Sequence, residues 1–151
     1  MTKELEEYVL EYMRAHRVLI LATSGPSSDV WACPVYYAFV GTSMLFVSRP
    51  DSLHAVHIGV GATVAFGVTD TDQRPPASAH GIQGRGLARP ATIREYPIFA
   101  RYYARMFPKY GENLVSPRAF RASLSNARES RPYILFPTFI KLTDKRFSVD
   151  P

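Results

Sequence analysis

Apolar residues recur along this chain with two different periods. Leu5, Tyr8, Val9, Tyr12 and Met13 fall at i, i+3, i+4, i+7 and i+8, one stripe of a helix, with Glu6, Glu7 and Glu11 off it. Thr2 is placed to cap that helix, and its acids suit the first turns. The spacing then shortens. Val18–Ala22 is a short β-rich run, Ser24–Ser28 a turn, and Trp31–Val40 a longer strand. Along that strand Trp31, Cys33, Val35, Tyr37 and Phe39 face one way, and Ala32, Pro34, Tyr36 and Ala38 the other. Pro34 has no N–H for a ladder, so its position calls for an edge, a bulge or a ligand. Gly41–Ser43 turns the chain into Met44–Val47, which predicts a hairpin.

Ser52–Ile58 follows as a short helix stopped by Gly59 and Gly61, then Ala62–Phe66 as a strand. Thr69–His80, with two adjacent prolines, reads as a loop, and Gly81–Arg89 as a glycine-rich strand. Tyr96–Tyr110 has a helical stripe of Phe99, Tyr103, Met106 and Phe107, with Pro97 in its first turn and Pro108 near its end. Ser116-Pro117 caps a weaker helix reaching Ala127, and Tyr133–Phe136 and Thr138–Leu142 are strands broken at Pro137. About six short strands at hairpin spacing predict a mostly β, antiparallel sheet with flanking helices, in one domain over residues 1–151.

Composition narrows the function classes. The chain has 18 Lys and Arg against 13 Asp and Glu, a formal charge of +5 that favours anionic ligands without selecting one. Cys33 is the lone cysteine, which excludes an intramolecular disulfide and a cysteine-rich metal site. Val18–Ala22 is too short to span a bilayer, and the acidic start is unlike a signal peptide, so a cytoplasmic chain is expected.

Candidate chemistry gathers after the Met44 strand. Ser48, Arg49, Ser52 and His54 offer hydroxyls, a guanidinium and a helix start, which together suit a phosphate. The same residues also read as an Asp51 or Ser52 helix cap beside solvated polar groups. Gly81-Ile-Gln-Gly-Arg-Gly86 is neither a dinucleotide fingerprint nor a phosphate-binding loop. Its glycines call for close approach by a ligand or by another backbone, and Gln83 can present a donor and an acceptor to a heterocycle. His54 and His57 lack the partners of a metal site, so no metal is expected. Arg101, Tyr102, Tyr103 and Arg105 interleave cations and aromatics as nucleic-acid surfaces do, although Tyr103 belongs to the buried stripe. No residue is singled out as catalytic.

Five segments in order resemble the flavin-binding split barrel of the pyridoxamine 5′-phosphate oxidase-like superfamily, in its small uncharacterised bacterial branch. They are Trp31–Tyr37, Phe46–His54, Gly81–Gly86, Tyr103–Pro108 and Phe139–Asp144. The resemblance implies a six-stranded antiparallel split β-barrel, a homodimer, and FMN at the subunit interface. It implies that Ala32, Cys33, Pro34 and Val35 line the isoalloxazine, that Ser48, Ser52, Leu53 and His54 bind its phosphate, and that Gln83 contacts the ring. An FMN-dependent oxidoreductase of unknown substrate is the leading expectation. Leu53 and His54 stand where family members usually carry Arg and Lys, and Arg49 is the residue expected to supply the lost charge. The end after Arg146-Phe-Ser-Val149 lacks the Arg-x-His of the true oxidase, so oxidation of pyridoxamine phosphate is not expected. Related split barrels bind deazaflavin F420 or haem, and a non-catalytic basic module for nucleic acid is the rival of another class.

Overall fold

A computed structural model describes residues 2–74, 79–126, 128–144 and 147. Helix α1 (Lys3–Ala15) starts where the Thr2 hydroxyl accepts a hydrogen bond from the Leu5 N–H at 3.3 Å. Six strands follow: β1 (Val18–Ser24), β2 (Val30–Val40), β3 (Ser43–Ser48), β4 (Ala62–Thr69), β5 (Gly81–Pro90) and β6 (Arg131–Thr143). Helix α2 (Leu53–Ile58) lies between β3 and β4. Every pairing is antiparallel, and the order β1-β2-β3-β6-β5-β4 closes on itself through β1–β4 as a barrel. The expected six-stranded antiparallel barrel is therefore present.

Alternation along the strands divides the residues between two environments. Leu19, Leu21, Val35, Tyr37, Phe46, Val64, Phe66, Ile82, Tyr133 and Leu135 fill the barrel. Val9 and Met13 of α1, and Ala55 and Ile58 of α2, join the same core. A second cluster lies outside β2, β3 and β6, where Ala38, Leu45 and Ile134 meet Phe99, Tyr103, Leu114 and Phe120. Those last residues belong to a helical layer over 96–125. Its first part, α3 (96–106), is followed by α4 (Pro108–Gly111) and α5 (Pro117–Ser125). The helical layer thus covers one outer face of the barrel; the described part of the opposite face, on β1, β4 and β5, has no helix over it.

Several local expectations need correction. The helix expected to run to Tyr110 stops at Met106, because residues before proline are driven from the helical region, and Phe107 sits at φ −129°. Within it Phe99–Tyr103 is a π turn, so Ala104 N–H donates to Phe99 O. The extra residue rotates Met106, expected in the buried stripe, toward solvent. Strand β6 is continuous through Pro137; the break is instead a register shift against Arg85 and Gly86, a bulge that accommodates the missing N–H. The Ser116 cap is present, accepting from Ala119 N–H at 3.1 Å. The adjacent prolines of the 69–80 loop, Ala127, Arg146 and the segment 148–151 lie outside the described residues.

Candidate functional site

The alternation on β2 separates the expected site residues. Cys33 and Val35 point into the barrel; Ala32 and Pro34 are exposed on its outside. Two polar features result, one under the sheet and one on it.

Under the sheet, α2 carries His54 into the end of the barrel, where it is 8% exposed. Its Nδ1 lies 3.2 Å from Cys33 Sγ, and its Nε2 lies 3.2 Å from Ser52 Oγ and in contact with Ser48 Oγ. The Ser52 hydroxyl donates to Arg49 O at 2.7 Å. One proton assignment satisfies the whole chain: Cys33 S–H donates to Nδ1, and Nε2–H donates to the serines. Burial supports that neutral assignment, since it pushes the Cys33 thiol up and the His54 imidazole down from their ordinary values. Four expected residues, Cys33, Ser48, Ser52 and His54, are thus brought together.

The other two at this end behave differently. Arg49 turns outward to Asp51, with Nε at 2.9 Å from one carboxylate oxygen and a terminal nitrogen at 2.5 Å from the other. Leu53 is exposed and apolar. The cluster therefore offers an anion the Ser48 hydroxyl, since the Ser52 proton is engaged by Arg49 O, and a cation only when Arg49 leaves Asp51. That pair is solvent-exposed, and exposed ion pairs are weakly held.

On the outside, the strand registers align two rows of side chains. One row runs Pro34, Ile20, Gly67, Gln83, Lys141; the next runs Ala32, Ala22, Ala65, Arg85, Phe139. Between them lies a groove of about 710 Å³. Ala22, Ala65 and Gly67 form its floor; Gln83, Arg85, Phe139 and Lys141 form one wall. At Gly67 an added Cβ would meet only Ile82 O, at 3.9 Å, so the space above this glycine is open. None of Ser48, Arg49, Ser52, Leu53 and His54 lines this groove.

The motif glycines divide in the same way. An added Cβ at Gly84 would strike Phe139 O and come within 2.6 Å of Phe66 Cζ, and one at Gly86 would strike Phe136 O. Both are required by the close approach of neighbouring residues, and Gly84 also borders the groove.

Sequence reading missed the groove wall beyond Gln83, and it missed a second histidine linkage. His57 Nδ1 is 3.0 Å from Thr23 Oγ1 and its Nε2 is 3.3 Å from Asp29, while its ring covers Gly25. The two histidines of α2 therefore serve different partners. Among the described residues no three His, Cys, Asp or Glu side chains are grouped to hold a metal ion. No helix of the described residues is long and apolar enough to cross a membrane.

No protein-family model matches the sequence, and no curated protein matches it. Solved structures do match the fold. The haem storage protein HutZ from Vibrio cholerae is 15% identical, with a TM-score of 0.67 over 91% of this chain and 94% of that one. A Listeria innocua protein described as a candidate pyridoxamine 5′-phosphate oxidase is 15% identical, with a TM-score of 0.64 over 91% and 97%. The general stress FMN/FAD binding protein from Xanthomonas citri is 15% identical, with a TM-score of 0.61 over 99% and 96%. The chain shares the fold of these proteins.

Proposed function

We propose that this chain binds a flavin, FMN, in the groove outside β1, β4 and β5, and uses it as an oxidoreductase on a small molecule. The observation that carries the reading is the floor of Ala22, Ala65 and Gly67 beside the Gln83 wall. A flat heterocycle needs a floor without side chains that rise from it, and a donor–acceptor group at its edge. Bound there, a flavin would supply the redox chemistry; Ala32 would extend the floor beyond Ala22, Pro34 lies across the exposed Ile20 from Gly67, and Gln83 would fix the edge. The groups we assign to its phosphate lie outside the groove lining: the Ser48 hydroxyl and Arg49 released from Asp51, with Ser52 able to donate only if it gives up Arg49 O. The named flavin-binding protein among the fold's neighbours supports the reading.

A homodimer completes the proposal. Val18, Ile20 and Leu87 are exposed apolar side chains on β1 and β5 of this face, a composition that suits a subunit interface.

The test is direct. The purified protein is denatured, and the released small molecule is identified by mass spectrometry, which separates FMN from FAD, F420 and haem. Apo-protein is then titrated with FMN and with riboflavin, and its mass in solution is measured by light scattering. Quenching of flavin fluorescence at micromolar protein supports the reading; a colourless protein that leaves added FMN fluorescent refutes it.

A further inference from the structure

We infer that Lys141 sets the reduction potential of the flavin, holding a positive charge against the heterocycle edge that becomes negative on reduction. The inference rests on the flavin reading above and assigns a role to a residue for which the sequence reading gave none.

The register places Lys141 directly across β5–β6 from Gln83, and both line the groove wall. Arg85 and Phe139 form the next rung of that wall, with the Arg85 guanidinium 5.7 Å from the Phe139 ring centre. Neither Lys141 nor Arg85 has an ion-pair partner among the described residues. The wall therefore presents one group that both donates and accepts, Gln83, next to groups that only donate. Its complement is a ring edge with several acceptors and one N–H, which describes the pyrimidine edge of a flavin.

Reduction adds two electrons and one proton to the ring system and leaves a net negative charge on that edge. A fixed cation beside it favours the reduced form over the oxidised one. A unit charge about 4 Å away is worth roughly a tenfold preference even at the high effective dielectric of an open groove. For a two-electron couple that is about 30 mV in midpoint potential.

The experiment uses the full-length protein at saturating FMN, reduced anaerobically by dithionite against a reference dye. Wild type is compared with Lys141→Met, Lys141→Arg and Lys109→Met, the last removing an equal charge from the helical side. The expected result is a potential about 30 mV lower in Lys141→Met, with the other two close to wild type. The gap should narrow as salt is raised. A Lys141→Met protein that binds FMN with the wild-type potential overturns the inference and leaves the flavin reading standing. A wild-type protein that takes up no FMN overturns both.

Discussion

Replacing Gly67 by Val separates the use of the groove from the stability of the barrel. The perturbation adds three carbons to the groove floor. In the folded protein the first of them meets nothing closer than Ile82 O, at 3.9 Å. Gly67 is not among the glycines held at positive φ, so a β-branched residue adopts its backbone without strain. Glycine in a strand costs about 0.5–1 kcal/mol relative to a residue with a side chain, mostly through the freedom of the unfolded chain. Gly67→Val should therefore leave stability unchanged or raise it by up to about 1 kcal/mol, which for a chain of this size is a melting shift of about 2–4 °C. Binding should move the opposite way. A ring lying on Ala22, Ala65 and Gly67 would be lifted off its floor, and overpacking of this kind costs about 1–3 kcal/mol, a loss of about 5- to 150-fold in FMN affinity. Thermal unfolding and a fluorescence titration on the same sample read both quantities. A Gly67→Val protein that binds FMN like wild type refutes the placement of the ring. Gly84→Ala is the contrasting case: its Cβ points at Phe139 O and the Phe66 ring, and it should cost stability by about 1–3 kcal/mol.

Asp51→Asn releases Arg49 from its exposed pair and should tighten FMN but not riboflavin, because only FMN carries the phosphate; equal effects on the two ligands would contradict a role for Arg49. Ser27 and Ser28 both sit at positive φ, 59° and 61°, in the β1–β2 turn closed by Asp29 N–H to Pro26 O at 3.3 Å. An asparagine followed by a glycine is what this mirror-image turn prefers, so Ser27→Asn combined with Ser28→Gly should stabilise by about 1 kcal/mol in urea unfolding; no gain would show that the serines are unstrained. His54 has its pKa lowered in the fold, chiefly by burial, so the unfolded chain takes up its proton first as pH falls. Its contribution is whole above the ordinary value of 6.5 and is lost as pH falls from there toward the lowered folded value. Urea unfolding at pH 8 and pH 5 should show that loss in wild type, and less of it in His54→Asn.

The strands and their antiparallel sense were legible from period-2 alternation and turn spacing, whereas the order that joins β3 to β6 and β1 to β4 was not, because those pairings bring together segments far apart in the chain. What the pattern misjudged has local causes. Met106 fits a period of 3.6 and is turned outward by a π turn that no residue type announces. Pro137 looks like a strand break, yet a bulge absorbs it because a partner strand with Gly86 allows the close approach. At the candidate site, residue types identified Ser48, Ser52 and His54 as a group, and the structure joins them. Their partner Cys33 was placed on the flavin side by the resemblance, whereas strand alternation turns its side chain inward to His54. Arg49 was expected to supply charge, but Asp51, two residues away, is the nearest acid and engages it in a closed fork. Lys141 lies in the Phe139–Asp144 segment without any role being legible there; only the β5–β6 register sets it beside Gln83.

The division of β2 into two faces bears on how the proposed site would work. His54 with Cys33, Ser48 and Ser52 closes a neutral hydrogen-bond chain beneath the strand whose outer side, Ala32 and Pro34, borders the groove floor. Such a chain is stable only while every member is satisfied, because an unpaired buried polar group costs about 1–3 kcal/mol. It therefore fixes the height and tilt of β2 and of the α2 start, the two elements that bring the floor and the serine hydroxyls into one frame. The residues that look most like a phosphate clamp thus act first as a brace. Ser48 is the member with a hydroxyl proton left over in the assignment above, which makes it the one best able to serve both roles. Ser48→Ala should then weaken FMN relative to riboflavin with only a small loss of stability. Cys33→Ser, which keeps a donor to His54 Nδ1, should preserve both binding and folding, whereas Cys33→Val, which removes it, should weaken folding and both flavins alike. Equal behaviour of the two Cys33 variants would show that the brace is not held together by that hydrogen bond.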